Sequence, residues 1–397
     1  MTTAPVSLAF FSNTHARGGA EEHVLTLLRG LDRRLFQLHL ICSPDVAEML
    51  RADLPRDVKL FPILVDSFSH GPNALRLARY LRAERIEILH SHLFCSSLFG
   101  SPIARFSGVP AIIETPHVRE SWRRGWKASF FVDRLIGRCV DCYIAVSQAN
   151  ADFLVNDKRL PARKVRTIHN GCDLRRFNPV ESSQSRLRGA LGFQPGDLIL
   201  LVAARLEPQK GHRVLLDALP PVRRDFPNVR LVCVGDGELR GALEQQARDL
   251  HLDDIVRFIG YQPNIPEWLG LADVSVLPSF FEGLPLVAIE SLAAARPMVA
   301  TAVDGTPEVI LDGQTGLTVP PGDPDALAKA LTRLLRDPEL RRRLGQAGRS
   351  FVLEHFTQER QIEQTQQLYL DALRQHTGSR SPVSSAKNWQ PVNSNGR

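Results

Sequence analysis

Apolar, β-branched runs alternate with longer stretches of helical period along almost the whole chain, and the series occurs twice. Runs at 6–11, 36–42, 86–90, 111–114, 142–146 and 165–168 read as strands, with helical patterns at 21–31, 74–85 and 126–137 between them. A second series of strands follows at 198–203, 229–234, 256–259, 274–276 and 298–300. Strands joined through helices pair in parallel, so this order predicts βαβ units and sheets buried on both faces. Between the two series, 178–196 is rich in Ser, Gln, Pro and Gly and shows no strand pattern, which makes it the expected boundary. The fold class expected is therefore α/β with two Rossmann-like, doubly wound domains, one over 1–180 and one over 181–356. A long helical pattern from 357 to 376 follows, and the Ser/Pro/Asn-rich stretch 377–397 lacks periodicity and is expected to be disordered.

Composition narrows the class. With 397 residues, 43% hydrophobic and 23% charged, the chain is that of a globular protein. No apolar run approaches the ~18–20 residues that span a bilayer. The first residues carry no basic stretch ahead of a short apolar run, and read as a first strand instead of a signal peptide. Six cysteines lie without framework spacing, which suits a reducing cytoplasm. Cys139 and Cys142 form a lone C-x-x-C read as thiols of the core.

In doubly wound sheets, ligands sit outside the carboxyl ends of strands, often with phosphate against a helix N-terminus. The segments just after the strands therefore hold the candidate site. Gly18-Gly19 after the first strand lets backbone approach a ligand closely. It is not G-x-G-x-x-G, and no G-K-[ST] occurs, so a dinucleotide fingerprint and a P-loop are both excluded. Arg205 and Lys210 stand between a strand end and a helix start, where both can face a diphosphate together with the helix dipole. In Phe281-Glu282-Gly283-Leu284-Pro285-Leu286-Val287-Ala288-Ile289-Glu290, Glu282 precedes a helix and Glu290 lies within its apolar pattern. An unpartnered carboxylate there is costly, and two carboxylates converging on a polyhydroxy ligand explain the pair. His90, His92 and His117 gather at strand ends. His90 and His92 show no third ligand at a clear metal-binding spacing, so no metal is expected. Asp323-Pro324-Asp325 reads as a helix cap.

Together these segments resemble the retaining glycosyltransferases of family 4 (glycosyl transferases group 1), on the GT-B fold, over roughly residues 5–376. The E-x7-E of Glu282 and Glu290 is the most specific part; ARLEPQKG, GGAE, IHNGCDLRRF and DGTPEVILDGQTGLTV agree with it in order and spacing. The resemblance implies two domains facing a central cleft, with the last helix crossing back to the first domain. It implies a hexosyltransferase of the EC 2.4 class taking a nucleotide diphosphate sugar, with no metal and no other cofactor. Gly18 and Gly19 would approach the donor, Arg205 and Lys210 would hold its diphosphate, and Glu282 would bind sugar hydroxyls beside the Gly283 and Leu284 N–H groups. Glu290 would accept from the ribose, and the base would rest near Gly260, Tyr261 and Gln262. His117 would lie over the reacting centre. Two positions depart from the family pattern: Cys172 replaces an aliphatic residue, and Asp304-Gly305-Thr306 replaces a commoner Gly-Gly.

No carboxylate is placed as a covalent nucleophile, which favours attack from the leaving-group face with retention; inversion with His117 as general base is the rival. A sugar-nucleotide epimerase and a catalytically silent binding module stay open as further alternatives. UDP-glucose, UDP-N-acetylglucosamine, UDP-galactose and GDP-mannose all suit the motifs as donors. For the acceptor, 119–138 carries Trp122, Trp126 and Phe130 at four-residue spacing among six basic residues. A basic, aromatic helix suits an anionic membrane surface, hence a lipid-linked or cell-envelope acceptor reached from the inner face of the cytoplasmic membrane; a soluble acceptor is the alternative. The net charge of +6 divides unevenly, with +8 over 1–180, −5 over 181–376 and +3 over the tail. The basic excess thus belongs to the acceptor half. No nucleic-acid partner is expected, and the oligomeric state stays open.

Overall fold

The computed structural model describes residues 4–14, 17–117, 129–177 and 181–377. Their strands are β1 (Val6–Ser12), β2 (Phe36–Cys42), β3 (Lys59–Pro62), β4 (Ile88–His92), β5 (Ala111–Thr115), β6 (Cys142–Ala145) and β7 (Val165–Thr167), then β8 (Leu198–Ala203), β9 (Val229–Val234), β10 (Val256–Gly260), β11 (Val274–Leu277), β12 (Met298–Thr301) and β13 (Gly316–Val319). The first seven form one sheet in the order β3-β2-β1-β4-β5-β6-β7 and the last six another in the order β10-β9-β8-β11-β12-β13. Neighbouring strands pair in parallel. Each order reverses beside the first strand of its series, between β1 and β4 and between β8 and β11. The crevice outside the carboxyl ends of those four strands is where such sheets take ligands.

Each sheet is buried on both faces, as near-continuous apolar strands such as Leu198–Ala203 require. The last helix, Gln358–Thr377, completes the first sheet's core and not the second's. Tyr369 and Ala372 pack with Leu8, Phe10 and Phe36, and the Tyr369 hydroxyl lies 2.6 Å from His90 Nδ1. The chain crosses over at Cys172 and Thr357, where Cys172 N–H donates to Phe356 O and Gln358 N–H donates to Cys172 O. Cys172, the departure from an aliphatic, is itself buried there.

Where sequence and structure differ, the reason is local. The strand expected at 86–90 runs Ile88–His92, because its register with β5 continues to His92 opposite Thr115. β3 is a short edge strand ending in Pro62, half-exposed and without alternation; β13 is four residues long. The stretch read as irregular linker contains the helix Glu181–Ala190, whose Leu187 packs on the second core. One leucine is too little for a periodic signal. Of the helix expected over 126–137, Ser129–Ile136 is described; 118–128 and the tail from 378 lie outside the described residues. Cys139 and Cys142 are free and partly buried.

Candidate active site

The crevice is built from four strand ends. β8 leads into Arg205–Lys210, and Gly211, at φ +66°, turns into the helix His212–Asp225. A Cβ on Gly211 would lie 2.0 Å from Pro278 O, so only glycine brings this helix start against the end of β11. Across that contact, Lys210 Nζ lies 2.7 Å from Glu282 Oε1, and Ser279 Oγ donates to the same oxygen at 2.7 Å. Glu282 is buried, so Lys210 supplies the charge its carboxylate needs. Arg205 does not join them. It is exposed, with its guanidinium 2.7 Å from Glu207 Oε1, the nearest opposite charge in its own loop.

Glu290 lies on the helix Leu286–Ala293, which begins four residues after Glu282. Burial pushes its carboxyl up to about 7; Arg176 opposes the shift and Glu22, across the crevice on the first domain, adds to it. Asp304 has φ +43° and accepts the Glu282 N–H at 3.0 Å. Aspartate tolerates this left-handed conformation, and here it brings another carboxylate beside Glu282. Gly260, Tyr261 and Gln262 lie at the carboxyl end of β10, two strands from β8. Gly235 N–H donates to Gly260 O, and Tyr261 is exposed on the rim.

On the first domain, β1 leads to Gly18-Gly19. The buried carboxylate of Glu21 accepts from Gly18 N–H at 2.9 Å and Thr14 Oγ1 at 2.6 Å, which pins the loop at the start of the helix Gly19–Gly30. Among the described residues, a Cβ added at Gly19 would meet nothing within 4 Å, so their packing does not itself require a glycine there. His117 lies just past β5, buried, with φ +60°. Its Nε2 is 2.9 Å from His92 Nδ1, and the ring of His23 packs edge-on at 4.8 Å. Burial holds His92 and His117 well below the usual histidine range and His23 down at about 4, so all three are neutral at pH 7.

The two domains touch through glycine. Gly283 packs so tightly on the first domain that a Cβ there would lie 1.7 Å from His117 O. Gly305 N–H donates to Gly283 O, and Asn170 Nδ2 donates to Leu284 O at 3.4 Å. Glu308 accepts from the Gln148 and Ala149 N–H groups, both at 2.9 Å, and lies 2.8 Å from His169 Nε2. The structure therefore brings together Lys210 with Glu282, and Gly283 and Leu284 with the His117 side of the crevice. Sequence reasoning missed Glu21, His23, Glu308 and the part played by Asp304. The acid in GGAE and the acid opening the helix Thr306–Val309 were the available signals. Asp323 caps its helix through Ala326 N–H.

Among the described residues, no helix is long and apolar enough to cross a membrane. In the helix Ser129–Ile136, Phe131, Val132 and Leu135 are exposed, with Arg134 beside them. Asp133 turns inward instead, onto the buried Lys158 at 2.8 Å.

Comparison with known proteins agrees with this architecture. The family described as Glycosyl transferases group 1 matches residues 183–351, and Glycosyltransferase Family 4 matches 17–176. The D-inositol 3-phosphate glycosyltransferase of Streptomyces scabiei is 30% identical over 339 residues, 79% of this chain and 74% of that one. The UDP-Gal:alpha-D-GlcNAc-diphosphoundecaprenol alpha-1,3-galactosyltransferase of Escherichia coli is 25% identical over 353 residues, 86% and 90% of the two chains. Anabaena HepE in complex with UDP-glucose superposes with a TM-score of 0.82 at 20% identity, covering 92% of this chain and 99% of that one. The chain belongs to the group 1 glycosyltransferases and has their GT-B fold.

Proposed function

We propose that the chain moves a hexose or N-acetylhexosamine from a nucleotide diphosphate sugar to an acceptor hydroxyl, with retention and without a divalent metal. The observation that carries this reading is the Lys210–Glu282 pair at the mouth of the helix His212–Asp225. It joins a cation suited to a diphosphate with a carboxylate suited to sugar hydroxyls, at a strand-order reversal. Lys210, the helix dipole and Arg205 swung from Glu207 stabilise the negative charge of the departing diphosphate, the role a metal plays elsewhere. The C1–O bond to phosphate breaks with its electrons going to the phosphate oxygen. The acceptor oxygen bonds to C1 from the same face and passes its proton to that phosphate. The Gly18-Gly19 loop lies over the donor, Glu290 takes the ribose hydroxyls, and Gly260, Tyr261 and Gln262 border the base.

NMR of the first-formed product tests the stereochemistry. An α-linked product from an α-donor is expected. A β-linked product overturns retention and makes His117, neutral and buried at the crevice, the general base.

Glu290 gives the proposal a pH dependence. Its carboxyl is raised from 4.5 to about 7, so the folded chain favours the protonated form and its stability falls as pH rises through that interval. An ionised carboxylate accepts from ribose hydroxyls more strongly than a protonated one. Donor affinity is therefore expected to rise about tenfold between pH 6 and 8, and Glu290→Gln to flatten the rise. Isothermal titration with UDP across that range reads it.

For the acceptor, we infer a lipid-linked substrate at an anionic membrane face. Exposed Phe131 and Leu135, one helical turn apart with Arg134 and Arg138 alongside, form an apolar and basic face. The E. coli relative, whose name specifies a diphosphoundecaprenol acceptor, supports the same reading. Sedimentation with anionic vesicles at low salt is expected to carry the chain down; a chain left in the supernatant makes the acceptor soluble.

A further inference from the structure

Three imidazoles from distant parts of the chain meet behind the crevice. His92 ends β4, His117 lies just past β5 and His23 is on the helix Gly19–Gly30. One nitrogen of each lies within 4.8 Å of the other two, and all three side chains are buried. Neighbouring His90 is satisfied on both ring nitrogens, by Tyr369 at 2.6 Å and Thr115 at 2.7 Å. His23 Nε2 and His92 Nε2, by contrast, have no hydrogen-bond partner among the described residues. An unpaired buried polar atom costs about 1–3 kcal/mol, so two in one cluster point to a ligand there. The other nitrogen of His23 is bracketed by Asn170 Oδ1 at 2.8 Å and Gln361 Nε2 at 2.9 Å. A polar partner on the far nitrogen is the arrangement that orients a metal-ligating histidine. His92 Nδ1 and His117 Nε2 lie 2.9 Å apart as a hydrogen bond, so an ion that takes both rings breaks that bond.

We propose that His23, His92 and His117 form a binding site for a zinc-class divalent ion that inhibits the enzyme when occupied. Imidazole suits such ions, and three histidines leave a fourth position open. Bonds of ~2.0–2.1 Å draw the three nitrogens somewhat closer than they stand. The second domain covers the cluster through Gly283 against His117 O and Leu284 O against Asn170. The ion therefore enters when the domains part, and by holding His117 it keeps them from closing productively. Inhibition rests on the transfer reading; binding does not.

Titrating the tag-free chain with Co2+ tests binding without substrate. One equivalent is expected to give the visible bands of a tetrahedral site, without a thiolate charge-transfer band, and Zn2+ to abolish them. Asn170→Ala is expected to weaken the ion about 10- to 100-fold, and His23→Gln or His92→Gln to remove the site. In the transfer assay, chelated enzyme keeps its full rate, and Zn2+ lowers it about tenfold or more until chelator is restored. No tetrahedral spectrum in the wild-type chain overturns the site. So does a spectrum unchanged in either histidine variant whose circular dichroism is native. A normal spectrum without inhibition overturns the inhibitory role alone, and a chain with no transfer activity leaves the Co2+ result standing.

Discussion

Replacing Lys210 with alanine is expected to lower kcat by about 10²- to 10³-fold, the range found when one preorganised group that stabilises transition-state charge is removed. The loss has two sources, and they separate. Lys210 faces the departing diphosphate, and it also neutralises buried Glu282 from 2.7 Å. Without the lysine, Glu282 keeps Ser279 but loses its opposite charge, which costs about 3 kcal/mol or more in a buried pair. The single variant is therefore expected to melt earlier as well as react slowly. Adding Glu282→Gln removes the stranded charge, so the double variant should regain stability without regaining rate. Recovery of kcat in the double variant would mean that Lys210 serves only to neutralise Glu282, and the leaving group would need another stabiliser.

Gly283→Ala is expected to lower kcat/KM by about 10- to 100-fold while leaving both domains folded. The added Cβ falls 1.7 Å from a backbone oxygen of the other domain, His117 O, and 3.3 Å from Val146 Cγ2. Backbone cannot give way as a flexible side chain does, and overpacking of this kind costs about 1–3 kcal/mol, with each 1.4 kcal/mol a factor of ten in rate. Parting the domains relieves the clash more cheaply than unfolding either one. Small-angle scattering should then report a larger radius of gyration for the variant. Wild-type activity in Gly283→Ala would show that catalysis does not need this close approach.

Parallel pairing and domain number were legible because buried parallel strands are apolar along their length and the helices between them keep a different period. The edge strand Lys59–Pro62 escaped because it is half-exposed, opens on a lysine and ends in proline, and Gly316–Val319 because Gly316 and Thr318 break its apolar run. Lys210 and Glu282 each precede a helix after a strand, but the sequence set Lys210 beside Arg205 and Glu282 beside Glu290; the contact between Lys210 and Glu282 depends on loops that the topology brings together, and was not legible. Arg205 was read with Lys210, and its contact with Glu207 shows that position in a loop does not fix where a long side chain points. The histidine cluster was not legible at all as a trio. It depends on the register of β4 against β5, which sets His92 opposite Thr115 two residues before His117, and on a helix from the start of the chain. The partners of Glu308 were likewise not legible, since the N–H groups it accepts belong to the other domain.

The return of the last helix to the first sheet has a consequence for biosynthesis. The first seven strands leave the ribosome long before Tyr369 and Ala372, which fill their core, have been made. At ~5–20 residues per second, the second domain takes roughly 10–40 s to synthesise. Through that interval the nascent first domain carries an open apolar face and a His90 without its tyrosine, and the second domain can be complete before the first.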